Sequence, residues 1–201
     1  NSNKVPVNYV LPPGINRESD PMNPQHRQLN EQSMSLKVCG LQDGDARAVY
    51  KNVNLDVRRY LRLKMFIHAE SVPGEQPIQD NDISVFVRLG TDYKNNYYEY
   101  EIPLKVTPNG RYDGTLDEQA PDRYIVWPEE NDLNLDFDLL QQVKQSRNDK
   151  IRNGDPNVSI TRLYSMVDGN NKISIMGNPN LSNVQTIMIG IRNPKKRSVI
   201  D

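Results

Sequence analysis

The stretch from Ile83 to Leu104, ISVFVRLGTDYKNNYYEYEIPL, decides the fold because it predicts two β-strands joined by a short polar loop. Apolar and polar residues alternate in both halves, which is the period of a strand, and β-branched and aromatic residues prevail. The segment between the halves, Thr91 to Asn96, is rich in Asp and Asn, which favour tight turns. The stretch therefore predicts an antiparallel β-hairpin.

A symmetric loop determines the register of this hairpin. It sets Leu89 opposite Tyr98 and Arg88 opposite Glu99, so one face is apolar and the other pairs opposite charges. A slip of one residue would destroy both matches. The expected core residues of the hairpin are Val85, Val87, Leu89, Tyr98, Tyr100 and Ile102.

Further segments with the strand period lie on both sides of the hairpin. We predict strands at residues 34–38, 46–53, 61–69, 123–127, 158–167, 172–176 and 184–191. In the last of these the run from Ile187 to Ile189 is continuously apolar, which indicates a central strand that is buried on both faces.

One helix is predicted around residues 135–152. Leu139, Leu140 and Val143 recur at helical spacing, with acidic residues early in the segment and basic residues late, as the helix dipole favours. Either Asn134 or Asp136 is a suitable N-cap.

These elements predict a mainly β fold. The number of short strands points to a two-sheet antiparallel β-sandwich of the jelly-roll, galactose-binding-like type, with the helix capping one end or covering one sheet. Residues 1–32 are rich in proline and predict an extended N-terminal arm over the domain. We therefore divide the chain into this arm, a β-sandwich domain at residues 33–194 and a basic tail at residues 195–201.

Composition limits the function classes. The 201 residues suit one domain with a sizeable core, and the net charge of -1 does not favour nucleic acid as a partner. No run approaches the roughly 20 apolar residues of a membrane helix, so we do not expect this chain to span a membrane. The single cysteine, Cys39, excludes an intrachain disulfide and is interpreted as a small core residue. The chain lacks an initiating Met, and we interpret it as part of a longer protein.

The residues with catalytic potential are isolated or have simpler explanations. His26 and His68 are interpreted as ordinary hydrogen-bonded histidines. Glu99 and Glu101 share a strand face and so resemble the carboxylate pair of a glycosidase. Because Arg88 lies opposite them, they are better explained as a solvated sheet surface.

Metal ligation is not favoured either. The carboxylates at residues 43–45 and 80–82 are explained by turn chemistry, since neither segment matches a calcium-binding loop. We expect no enzyme activity, no metal and no cofactor.

The hairpin tip is the candidate contact for a partner, because exposed aromatic residues often stack on sugars or bind protein. Tyr98 and Tyr100 are expected in the core, which leaves Tyr97 exposed beside the loop. The candidate partner-contact residues are Tyr93, Lys94, Asn95, Asn96 and Tyr97.

Longer motifs resemble one known family. The hairpin segments RLG at residues 88–90 and DYKNNYYEYEIPL at residues 92–104 closely resemble the SprA/Sov family. The other similar stretches are NYVLPPG at 8–14, RQLNEQS at 27–33, GDARAVYK at 44–51, LKMF at 63–66, GNPNLS at 177–182 and IGIRNP at 189–194. They follow one another in order over nearly the whole chain.

The SprA/Sov proteins are giant outer-membrane translocons of the type IX secretion system in gliding and related Bacteroidota. The resemblance implies a very large β-barrel that passes folded cargo across the outer membrane and on which gliding adhesins depend. This chain would be a soluble domain inserted between barrel strands, at the cell surface or outer membrane, in contact with secreted cargo and other translocon subunits. The resemblance also implies a further strand after Asp201, without which a sheet edge beside the last strand would stay open.

Two functions follow from the sequence. The first is a non-catalytic structural and interaction domain of this translocon. The alternative is a carbohydrate-binding jelly-roll module of a cell-surface protein, which a shallow aromatic groove on the concave sheet would favour.

Overall fold

A computed structural model describes residues 5–15, 33–113 and 120–194. The mainly β class is confirmed. The strands are β1 (Ala46–Leu55), β2 (Arg62–Met65), β3 (Ser84–Gly90), β4 (Tyr97–Pro103), β5 (Leu133–Asp136), β6 (Tyr164–Asp168), β7 (Asn171–Met176) and β8 (Val184–Arg192). The helices are α1 (Pro121–Val126) and α2 (Phe137–Arg152), with a 3-10 turn at Glu129–Asn131.

Six strands form one antiparallel sheet in the order β1-β8-β3-β4-β7-β6, and β2 and β5 form a separate two-stranded ribbon. A jelly roll needs two sheets of similar size. Here α2 and the ribbon pack on one face of the large sheet, with Leu133, Leu135 and Leu140 in the same apolar cluster as the sheet residues. The two-sheet sandwich of jelly-roll type is therefore not confirmed.

The predicted hairpin register is confirmed. Leu89 pairs with Tyr98, and Arg88 pairs with Glu99. The six predicted core residues of the hairpin are all at most 5% exposed. The local alternation of the sequence was sufficient here, because each strand has its partner a short loop away.

The last strand lies inside the sheet, as its apolar run predicts, but burial on both faces is not confirmed, since the residues from Ile187 to Ile189 are only half-buried. β8 pairs with β1 on one side and with β3 on the other. No edge is left open beside this last strand, because the chain returns to the middle of the sheet and β1 and β6 form the edges of the described sheet. The further strand after Asp201 stays a prediction. Gly190 of β8 lies where an added Cβ would come within 2.6 Å of both the Phe86 ring and the Ala48 Cβ. This position between β1 and β3 therefore needs a glycine.

Two of the predicted strands do not form. Residues 34–38 alternate in polarity but pair with no strand in the described part of the chain. Cys39 beside them is exposed, which corrects its interpretation as a core residue. Residues 123–126 lie in α1 instead, with Trp127 as its C-cap, because Pro121 stands in the first turn, where the fixed φ of proline favours a helix.

Two other predicted strands are shorter than expected. The segment 61–69 is paired only at β2, and the segment 158–167 forms a strand only from Tyr164.

The predicted helix is confirmed with Asp136 as its N-cap. A carboxylate oxygen of Asp136 accepts a hydrogen bond of 3.0 Å from the backbone N–H of Asp138. The helix begins at Phe137, slightly later than the spacing predicted, because residues 133–136 pair with β2. Its inner face buries Leu140 and Val143 completely.

The described part of the predicted arm lies against α1. Val10 and Leu11 are buried, and the Trp127 indole N–H donates a 2.8 Å hydrogen bond to the Val10 carbonyl. Asn8 exchanges two hydrogen bonds with the Tyr112 backbone. Residues 16–32 of the arm and the basic tail at residues 195–201 lie outside the described residues, so the division into arm, domain and tail stays a prediction.

Candidate interaction site at the hairpin tip

The hairpin tip, defined as residues 91–96, is organised by the Asp92 carboxylate. One oxygen accepts hydrogen bonds from the backbone N–H groups of Lys94 (2.8 Å), Asn95 (2.5 Å) and Asn96 (3.2 Å). The other oxygen accepts from the Asn96 side-chain amide at 2.9 Å. Partial burial acts to raise the pKa of Asp92, but these hydrogen bonds outweigh it and lower the pKa from an ordinary 3.8 to about 2.

The tip is also joined to the loop that follows β7. The Asn96 side-chain oxygen accepts a 3.0 Å hydrogen bond from the Asn178 N–H. Gly177 has φ of +66°, and an added Cβ would lie 1.9 Å from the Asn95 carbonyl oxygen, so this position needs a glycine. Arg88 of β3 also donates a 2.8 Å hydrogen bond to the Tyr93 carbonyl. These contacts hold the tip in one conformation.

The tip offers a small mixed surface. Lys94 and Asn95 are exposed, and Tyr93 and Asn96 are half-buried. The Tyr93 ring lies 4.8 Å from the ring of Tyr50, which projects from β1 and is 54% exposed. Tyr50 was not among the predicted contact residues, because its proximity to the tip depends on the position of β1 in the sheet.

Tyr97 does not belong to this surface. The expectation that it stays exposed is wrong, since it is 6% exposed. The Arg88 guanidinium lies over its ring at 4.2 Å and covers it. Burial raises the pKa of the Tyr97 hydroxyl.

Behind the tip, the same face of the sheet holds a charged cluster, defined as Arg88, Glu99, Glu101, Lys172 and Arg192. Glu99 is 2% exposed and accepts hydrogen bonds from Arg88 at 2.6 Å and from Arg192 at 3.0 and 3.1 Å. A buried carboxylate is tolerated only when it is paired in this way.

Glu101 continues the cluster and is 5% exposed. It accepts a 2.6 Å hydrogen bond from the Ser84 hydroxyl, forms a 2.7 Å ion pair with Lys172 and is bound by Arg192. Burial acts to raise the pKa of Glu101, but these partners outweigh it and the pKa is lowered.

The interpretation of Glu99 and Glu101 as a solvated sheet surface is therefore wrong. Pairing of Arg88 with Glu99 was predicted, but Lys172 and Arg192 were missed because their strands lie next to β3 and β4 only in the folded sheet. The available signal was Arg192 itself, a cation that directly follows the apolar residues of the last strand. The ion pairs and hydrogen bonds of the charged cluster therefore give both carboxylates a structural role.

Other candidates from the sequence are explained locally. The His68 Nδ1 lies 2.9 Å from the Val126 carbonyl oxygen, as expected of a hydrogen-bonded histidine, whereas its Nε2 is buried and has no hydrogen-bond partner in the described part of the chain. His26 lies outside the described residues. Among residues 5–15, 33–113 and 120–194, no group of three or more His, Cys, Asp or Glu side chains is placed to hold a metal ion.

A shallow groove of about 540 Å³ runs beside α2, between Gln141, Gln145 and the residues 179–181. Its aromatic lining residue is Tyr98, which is only 2% exposed. A sugar that stacks on an aromatic ring needs the face of the ring, and Tyr98 does not present it.

Comparison with known protein families gives one match. The family model SprA_N, described as a motility related/secretion protein, matches residues 1–200. No curated protein matches the chain. Within the described residues, neither helix has the length and apolar character needed to cross a bilayer.

The charged cluster predicts a large effect for a small change. Glu99→Gln leaves the half-buried Arg88 without its carboxylate partner and leaves Arg192 with Glu101 alone, so we expect the free energy of unfolding to fall by about 3 kcal/mol. Urea denaturation followed by circular dichroism measures this. The matched control is Asp149→Asn, which removes an exposed ion pair with Arg152 and should cost less than about 1 kcal/mol. Equal losses in the two variants would contradict the role of the cluster.

The low pKa of Asp92 predicts a dependence of stability on pH. Because the folded-state pKa of about 2 lies below the ordinary 3.8, the carboxylate contributes stability above pH 3.8 that is lost as the pH falls toward 2. Asp92→Asn should therefore be less stable than the original chain at pH 7, by about 1 kcal/mol, and the gap should close between pH 4 and pH 2. Urea midpoints measured across this range test it. Glu75→Gln, at an exposed site, serves as the control, and a gap that stays constant with pH would refute the assignment.

Proposed function

Because the chain belongs to the SprA_N family of motility-related and secretion proteins, we propose that it is a non-catalytic interaction domain of a large outer-membrane translocon. The translocon is that of type IX secretion, on which gliding motility depends. The domain lies at the cell surface or outer membrane and contacts secreted cargo or other translocon subunits. The observation that carries the proposal is the family match over residues 1–200.

The tip supports a binding role through its rigidity. Asp92, Gly177 and Arg88 hold the loop from three sides. A surface that is ordered before it meets a partner loses little conformational entropy on binding, so a small contact retains more of its interaction energy. The exposed part combines the Tyr50 and Tyr93 rings with the cation of Lys94, and tyrosine is enriched at protein interfaces.

The test replaces Lys94 of the tip and its exposed neighbour Tyr50 of β1 in the full-length translocon within the bacterium. The variant is Tyr50→Ser with Lys94→Glu, and the measurements are the amount of cargo in the medium and the gliding speed. We expect secretion to fall several-fold while the amount of translocon in the outer membrane is unchanged, since both side chains are exposed.

The matched control is Tyr124→Ser with Lys37→Glu, because Tyr124 is also 54% exposed and lies on α1. It should leave secretion unchanged. Normal secretion in the tip variant would overturn the assignment of this surface. Binding of the chain to a glycan array that the tip variant abolishes, together with normal secretion, would instead favour a carbohydrate-binding module.

A further inference from the structure

Strand β1 is an unusual edge strand. It is 10 residues long, and all but two of its residues are exposed, including Val49 (43%) and Tyr50 (54%). The other edge strand of the sheet, β6, has 5 residues. Proteins usually protect long edges by proline, by charged side chains, by bulges or by shortening the strand, and of these β1 carries two cations, Arg47 and Lys51, within residues 46–52.

Among the described residues, no strand pairs with the outer edge of β1. In the part of the chain that the structure describes, β1 is hydrogen-bonded along one edge only, to β8. The pairing runs without interruption from Ala46 to Asn52, and its irregularity comes only beyond Asn52. No proline lies in this segment. The N–H and C=O groups of successive residues in an antiparallel strand point alternately to its two edges, so about half of these seven residues present them to the outer edge in regular strand geometry.

The side chains of β1 give this edge a charge pattern. Arg47, Val49 and Lys51 alternate along the strand and share one face, and Ala48 and Tyr50 lie on the other. The strand contains no carboxylate. The ion pairs of the described residues include neither Arg47 nor Lys51, and Arg47 bonds only to the carbonyl of its neighbour Ala46.

We propose that β1 binds an extended acidic segment of another protein as an additional antiparallel strand of the sheet. The backbone of the segment bonds to the outer edge of β1. Its residues follow the order acidic, any, apolar, any, acidic, which sets the two carboxylates opposite Lys51 and Arg47 and the apolar side chain opposite Val49. The proposal goes beyond the secretion role and does not depend on it.

Charge favours an acidic segment over a second copy of this chain. If two copies paired antiparallel about Val49, each Arg47 would stand opposite a Lys51, and like charges directly opposite are destabilising. On the other face, Tyr50 is already supported by Tyr93 at 4.8 Å, so its ring is held in place to cover a side chain of the added strand.

Fluorescence anisotropy with the full 201-residue chain tests the proposal. The probe is a labelled peptide, Thr-Glu-Thr-Val-Thr-Glu-Thr, and the first control peptide has lysine in place of both glutamates. We expect the acidic peptide to bind at least about tenfold more tightly than the basic one, since two cross-strand charge pairs change sign. A second control with proline in place of valine should bind weakly, because proline removes a backbone donor.

A charge-reversed chain, Arg47→Glu with Lys51→Glu, gives a test that does not require disrupting the strand, because both residues are on the exposed edge strand. It should prefer the basic peptide. Hydrogen exchange should show protection of β1 amides when the acidic peptide is bound.

Three results would overturn the proposal. They are equal binding of the acidic and basic peptides, an unchanged preference in the charge-reversed chain, and self-association through β1 without peptide binding.

Discussion

The buried carboxylate of Glu99 sets the constraint on which the sheet depends. It lies 2% exposed on β4 and is bound by Arg88 of β3 and Arg192 of β8. A charge in that place is tolerated only when both guanidinium groups arrive in register. A slip of one residue in either strand would turn its arginine toward the apolar face and leave Glu99 with one guanidinium partner instead of two. The cluster therefore specifies how three strands of the sheet align.

This alignment has a consequence for the surface. Arg88 binds Glu99, covers the ring of Tyr97 and donates to the Tyr93 carbonyl, so it connects the centre of the sheet to the hairpin tip. Arg88 therefore stabilises both the conformation of the tip and the register of β3 with β4. The two surfaces that we propose as partner contacts are adjacent, since Tyr50 of β1 contacts Tyr93 of the tip.

The sequence predicts well what is decided locally. The hairpin and its register follow from alternation around one loop, and Asp136 caps α2 as its position suggests. The tip could also be located, because its polar loop lies between two clear strands. The same alternation at residues 34–38 gives no strand, since a strand also needs a partner edge at the right place.

What the sequence does not reveal depends on distant neighbours. Period two assigns Tyr97 and Glu99 to the face opposite the core, but it does not show that Arg88 and Arg192 cover that face. The return of β8 to the middle of the sheet brings Arg192 there and places Tyr50 beside the tip. Helix α1 was missed because the first-turn proline outweighs the β-branched residues that follow it.

A double-mutant cycle between Glu99 and Arg192 tests the central claim most directly. The free energy of unfolding is measured for Glu99→Gln, for Arg192→Met and for the double variant. The two side chains form one buried cluster, so the account predicts a coupling energy of about 2 kcal/mol. Additivity within about 0.5 kcal/mol would contradict it, because the two residues would then contribute independently and could not set the register of the strands together.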